Sequence, residues 1–142
     1  FKFKYKSKRI RFNFCDINNK DDLKKFSSHF KKNFFNIIID DGSHILTEMI
    51  SSLKFFFTYL EPGGHFIVED FNAPIYFESL NDSDGNEILM GEIFENLQKK
   101  KQFKSKILSL EDQKFLFDNI SKIEVFKGKT LISDIAFISK SK

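Results

Sequence analysis

The clearest pattern in the chain is a pair of short apolar runs that each end in adjacent acidic residues. The first run, Phe34 to Asp40, is followed by Asp41, and the second, His65 to Asp70, closes on Glu69 and Asp70. Nearly continuous apolar runs of strand length are typical of strands that are covered on both faces. The sequence therefore predicts two buried strands with acidic carboxyl ends.

Helical spacing of apolar residues marks the segments around these strands. The strongest case is 45–60, where apolar residues recur every three or four positions before Pro62, Gly63 and Gly64. Further helices are predicted over 20–31 and 87–101, and over a segment that runs to Asn119. Ser109 and Asp112 resemble a capping box at the start of that last helix.

Alternation of apolar and polar residues predicts the remaining strands. Ile10, Phe12 and Phe14 alternate with polar residues and run into an acidic loop. Ile123 to Phe126 and Leu131 to Ile138 flank a short basic and glycine-containing turn, which indicates a terminal hairpin.

This order of elements predicts a single α/β domain over residues 1–142. We expect a Rossmann-like sheet of three parallel strands with helices on both faces, plus a carboxyl-terminal antiparallel hairpin. Residues 71–86 are rich in Asn, Asp, Ser and Gly and form a loop long enough to shape a pocket.

Composition narrows the class of protein. The 142 residues are 41% hydrophobic and 30% charged, contain no apolar run long enough to span a bilayer and lack a secretory leader, so we expect a cytoplasmic protein with no membrane partner. The single Cys15 cannot form an internal disulfide.

The net charge of +3 is small. The basic residues of 1–12 alternate with apolar ones as in a half-solvated edge strand, which argues against a nucleic-acid partner.

The acidic strand ends are the candidate chemistry. Ligands of open parallel sheets bind at the carboxyl ends of the strands, so both acidic pairs should face one crevice. Clustered carboxylates need a cation, protons or basic partners, and an oxygen-only set suits Mg²⁺, Mn²⁺ or Ca²⁺. Glu69 and Asp70 can share a metal only if the strand breaks there, because neighbouring strand residues point to opposite faces. From spacing alone, helix capping or pairing with lysines is an equally open explanation.

A family resemblance sharpens this prediction. The stretch IIIDDGSHILTEMISSLKFFFTYLEPGGHFIVEDF, with its D-G-S-H element, P-G-G turn and E-D pair, resembles the macrocin O-methyltransferase and cephalosporin hydroxylase family. The resemblance implies a class I methyltransferase fold, S-adenosylmethionine and Mg²⁺ as cofactors, and O-methylation of a hydroxyl on a sugar or glycosylated metabolite. It is compatible with a homo-oligomer.

Site residues follow from the resemblance, position by position. Asp41, Glu69 and Asp70 would bind the metal and His44 would act as general base. Asp16 would hold the adenine amino group, and Asp40 would lie where the methionine portion passes. Two simpler explanations stay open at this stage, since His44 could be a polar residue of the first helical turn and Asp16 a helix cap.

One departure from the family pattern is large. The sequence has no G-x-G element, and its first glycine is Gly42, so the family's glycine-rich cofactor loop has no counterpart. Together with the absence of an initiator Met, this predicts a carboxyl-terminal piece of the fold without its first two strands. We therefore expect weak cofactor binding by this chain alone. There are two alternatives to the methyltransferase. One is a non-catalytic remnant of the fold, and the other is another Mg²⁺-dependent sheet enzyme, such as a nucleotide-sugar transferase.

Overall fold

A computed structural model describes residues 8–82 and 85–142. The alternating basic and apolar residues of 1–7 lie outside the described residues, as do positions 83 and 84 of the polar loop. Within the described ranges, no helix has the length and apolar character needed to cross a membrane.

The structure contains five α-helices, two short 3-10 helices and four strands within the described residues. The α-helices are α1 (Lys20–His29), α2 (Leu46–Phe56), α3 (Ala73–Tyr76), α4 (Met90–Gln98) and α5 (Leu110–Asn119). The strands are β1 (Phe35–Asp40), β2 (Leu60–Val68), β3 (Ile120–Phe126) and β4 (Ile135–Lys140), and 3-10 helices span Phe57–Tyr59 and Glu78–Leu80. The predicted helices and the terminal hairpin are all present, with ends shifted by a few residues.

The strands form one mixed sheet in the order β1-β2-β4-β3. β1 and β2 are parallel, with Ile38 opposite Phe66. β4 runs antiparallel to both β2 and β3. The α/β class is thus confirmed, but the prediction of three parallel strands is wrong, because the sheet contains a single parallel pair.

The missing third strand is the segment 10–14. The backbone there forms no strand, and Ile10, Phe12 and Phe14 are 46%, 59% and 84% exposed. Alternating apolar and polar residues are compatible with a strand, but the pattern does not provide a neighbouring strand to pair with. An extended segment without hydrogen bonds to a neighbouring strand is not part of a sheet. β1 is therefore an edge strand, with no strand beside it on its outer side within the described residues.

The core lies on one face of the sheet. A single cluster joins α2, α4 and α5 to inward-facing residues of the strands, such as Phe66, Val68, Ala136 and Ile138. Side chains alternate between faces along a strand, and Ile37 and Ile39 on the opposite face are 56% and 58% exposed. The expected helical cover of both faces is thus not found within the described part of the chain.

Candidate functional site

The carboxyl ends of β1 and β2 meet through the backbone. The Glu69 amide donates to the Asp40 carbonyl oxygen at 3.0 Å, so the two acidic pairs of the sequence lie at the same edge of the sheet. β2 ends at Val68, and Asp70 has a φ of 49°. The regular strand has therefore stopped before the acids, which removes the geometric objection to Glu69 and Asp70 facing one crevice.

Asp40 is the most constrained acid of the site. Burial raises the pKa of Asp40, and the neighbouring Ser52 hydroxyl and Gly42 amide offset only part of that effect. The second oxygen, Oδ2, is buried and has no hydrogen-bond partner within the described residues. A buried acceptor without a donor is costly, so this oxygen is a position where a ligand's N–H or O–H would be stabilising.

Asp16 lies on the same cavity as Asp40. A cavity of about 250 Å³ is lined by residues of the loop before α1, the end of β1 and one face of α2: Cys15, Asp16, Ile17, Asp40, Gly42, Ser43, Glu48, Met49, Ser52 and Phe56. The two predicted cofactor residues are 24 positions apart in the sequence, and the fold brings them to one opening.

Asp16 does not cap α1. That cap is Asn19, whose side chain accepts from the Asp21 and Asp22 amides. The Asp16 carboxylate instead accepts from the Asn18 amide at 2.9 Å, which leaves its second oxygen available at the cavity. The helix-cap explanation of Asp16 is therefore excluded for α1.

Sequence reasoning missed the residues that support this cavity. Asn18 donates to Glu48 at 2.8 Å, and the Ser43 hydroxyl also donates to Glu48. The first bond joins the loop before α1 to the first turn of α2, and the second joins the loop after β1 to the same turn. No sequence signal marks Glu48 for this role, because an acid in the first turn of a helix is ordinary.

His44 lies just outside α2. The helix begins at Leu46 with Ile45 as its N-cap, and His44 has a φ of 56°. Its Nε2 is 3.7 Å from Oδ1 of Asp41, and the two side chains are 25% and 62% exposed. His44 is thus not a first-turn helical residue, and its ring faces one of the candidate acids.

The candidate metal ligands share an edge of the sheet but do not form a closed group. Among the residues that the structure describes, no set of three or more His, Cys, Asp or Glu side chains converges as a metal site requires. The donor types suit Mg²⁺ and the backbone places the two strand ends together, but the side chains of Asp41, Glu69 and Asp70 do not converge on one point.

Comparison with known proteins identifies the fold. The chain is similar to the MycE methyltransferase from the mycinamycin biosynthetic pathway in complex with Mg and SAH, with 23% identity and a TM-score of 0.69. A MycE complex with Mg, SAH and mycinamycin VI gives 22% identity and a TM-score of 0.68. Each match covers 96% of this chain and 33% of that chain.

These likenesses establish the fold and not the family. No protein-family model matches the sequence, and no curated protein matches it. The chain spans about a third of the length of the solved methyltransferases, and at this identity the similarity shows that it shares the fold of that third.

Proposed function

We propose that this chain is the metal-site part of an S-adenosylmethionine-dependent O-methyltransferase that acts on a hydroxyl of a sugar or glycosylated metabolite. The observation that carries the proposal is the cavity shared by Asp16 and Asp40 beside the acidic ends of β1 and β2. The fold similarity to MycE, whose structures hold Mg, SAH and a mycinamycin, supports it.

Asp40 and Asp16 would bind the cofactor. The buried, unpartnered Oδ2 of Asp40 suits an ammonium group such as that of a methionine moiety, since a charged donor removes the cost of the buried acceptor. Asp16 lines the same cavity and could accept from an amino group. The cavity volume of about 250 Å³ is below the roughly 300–1,000 Å³ of ordinary ligand pockets, so we expect weak binding of the cofactor to this chain alone.

Asp41, Glu69 and Asp70 would hold the metal, and His44 would take the proton. When bound, S-adenosylmethionine supplies an electrophilic methyl group and Mg²⁺ makes a coordinated hydroxyl more acidic. The imidazole of His44 is a suitable proton acceptor near neutral pH. The ring lies 3.7 Å from Asp41, beside one of the candidate metal ligands.

One observation favours a second candidate, a non-catalytic remnant of the fold. The candidate ligands do not converge in the described part of the chain, as expected of a site that has lost its metal-binding function. Under this alternative the strand-end acids are solvated and bind divalent cations no better than other surface acids do.

Mn²⁺ binding separates the two candidates. Free Mn²⁺ is measured by paramagnetic resonance during titration of the chain, of its Glu69→Gln variant and of a matched control, Glu95→Gln. Glu95 lies on α4 with its side chain 70% exposed. The Glu95→Gln change therefore removes one negative charge, as Glu69→Gln does, but away from the site. We expect one saturable site that Glu69→Gln weakens about tenfold or more, by loss of a ligand, and that Glu95→Gln leaves unchanged.

A second arm of the titration adds S-adenosylhomocysteine. Occupancy of the neighbouring cavity should tighten Mn²⁺ binding in the parent chain and have no effect in Asp16→Asn. Equal weakening of Mn²⁺ binding by both Gln variants, or no saturable binding by a folded sample, would favour the remnant. Metal binding that is indifferent to S-adenosylhomocysteine at any concentration would contradict the methyltransferase assignment.

A further inference from the structure

A second cavity lies at the end of the sheet opposite the acidic strand ends. It has a volume of about 530 Å³ and is lined by residues around the starts of β1 and β2, the end of β4 and one side of α5. This volume falls within the range typical of ligand pockets. The site proposed above uses none of its residues.

A buried lysine lines this cavity. Lys140, at the end of β4, is 7% exposed. Its ammonium donates to Oδ1 of Asn33 at 2.8 Å and to the Leu60 carbonyl oxygen at 2.7 Å, and it lies 5.6 Å from the centre of the Phe57 ring. These contacts fix the position of the ammonium, and both Lys140 and Asn33 line the cavity.

The charge of Lys140 is not compensated by a carboxylate. Among the described residues, every ion pair within 4.0 Å involves other side chains: Asp41, His44, Lys54, Asp82, Glu95, Lys99, Lys106, Asp112, Lys122, Glu124, Lys127 and Asp134. Burial lowers the pKa of Lys140, because nothing nearby offsets the desolvation of the ammonium. Neutral acceptors satisfy its hydrogen bonds but not its charge.

The rest of the cavity wall is net basic. Lys32 and Lys142 line it without an ion pair in the described structure, whereas Lys54 is neutralised by Asp112 at 2.8 Å. Asp118 is the second acid on the wall. With the Lys54 and Asp112 pair set aside, three lysine side chains and one aspartate side chain remain on the wall.

Apolar side chains complete the wall. Pro62, Phe115 and Leu116 line the cavity beside the lysines. The volume exceeds that of a lone inorganic anion, so the cavity has room for an anionic group at Lys140 and a ring or hydrocarbon against Phe115.

We propose that this cavity binds a small organic phosphate, with the phosphate group at Lys140 and its uncharged part against Phe115. A dianion matches the excess of basic side chains better than a monoanion, and lysine binds phosphate as a point charge. Binding would supply the counter-charge that Lys140 lacks in the fold.

The test uses phenyl phosphate, inorganic phosphate and benzoate as probes, measured by isothermal titration calorimetry on the full chain. We expect phenyl phosphate to bind at least tenfold more tightly than either of the others, since inorganic phosphate lacks the ring and benzoate lacks the second charge. Raised NaCl should weaken binding because the attraction is electrostatic. Equal affinity for benzoate and phenyl phosphate would overturn the phosphate assignment.

Variants locate the site. Lys140→Met keeps the length of the side chain and should weaken phenyl phosphate at least tenfold, whereas Lys104→Met, at an exposed lysine elsewhere, should leave it unchanged. Lys32→Ala is at an exposed rim position and tests the site without disturbing the buried lysine; a loss of about threefold is expected. If Lys140→Met folds and binds as the parent does, or if Lys32→Ala and Lys104→Met have the same effect, the proposal is wrong.

Discussion

Gln113 should be one of the most costly polar residues to replace. It lies on α5, is 1% exposed, and bonds to the segment before the helix. Its Oε1 accepts from the Phe103 amide at 3.1 Å, and its Nε2 donates to the Phe103 carbonyl oxygen at 2.9 Å and the Leu108 carbonyl oxygen at 3.0 Å. A single side chain therefore satisfies three backbone groups of a segment without regular structure.

The change Gln113→Leu keeps the volume and removes all three bonds. Each lost bond costs about 1 kcal/mol, more where the abandoned group is fully buried, and the apolar replacement offsets part of the loss. We expect a destabilisation of about 2–3 kcal/mol. For a chain of 142 residues this corresponds to a Tm lower by roughly 6–12 °C.

Urea unfolding followed by circular dichroism measures this change. The matched control is Gln102→Leu, at an exposed position in the same segment, which should change the free energy of unfolding by no more than about 0.5 kcal/mol. A loss below about 1 kcal/mol for Gln113→Leu, or an equal loss in the control, would refute the reasoning.

Two further changes test the β1–β2 pair. In Gly64→Ala the new Cβ would lie 2.7 Å from the Asn36 carbonyl oxygen, so we expect a loss of about 1–3 kcal/mol in urea unfolding. In the control Gly91→Ala on α4 the new Cβ would lie 3.9 Å from the Phe71 ring, an ordinary contact, so this change should not destabilise. In Asp40→Asn the buried charge is removed. Because burial raises the folded-state pKa of Asp40, the parent chain loses stability as pH rises from about 4 through that pKa. The free energy of unfolding, measured between pH 4 and 7, should rise in the variant relative to the parent chain as the pH increases. A difference between the two that does not change with pH would contradict the effect assigned to burial.

Features that depend on neighbouring residues in the sequence were predictable. The amphipathic pattern before Pro62 gives α2, and the Ser109 and Asp112 pair forms the capping box, with each side chain bonded to the other's backbone amide. Asp takes the place of the usual Glu or Gln there because the shorter side chain still reaches the Ser109 amide, at 2.9 Å. Such contacts span three or four residues, so spacing alone reveals them.

Features that depend on a distant partner were not predictable. Residues 10–14 have the alternation of a strand, yet a strand also needs a neighbour, and alternation carries no information about one. Ser52 lies within the predicted helix 45–60, and helical spacing gives no sign that its hydroxyl lies beside the Asp40 carboxylate. The left-handed backbone at His44 and Asp70 also escaped prediction, since His and Asp adopt it far less often than Gly does.

Within the described residues the sheet is covered on one face only, and this explains why the sequence of β1 predicts more contacts than the structure shows. Apolar runs such as Phe34 to Ile39 predict cover on both faces, and the core supplies it on one: Ile38 packs against the core cluster, whereas Ile37 and Ile39 remain more than half exposed. The same edge leaves the cavity at Asp16 and Asp40 small and the Asp40 Oδ2 without a donor. The apolar sequence of β1 is thus typical of a strand covered on both faces, and the described residues cover only one of them. The proposed cofactor cavity lies at this incompletely covered edge, whereas the Lys140 cavity lies at the other end of the sheet.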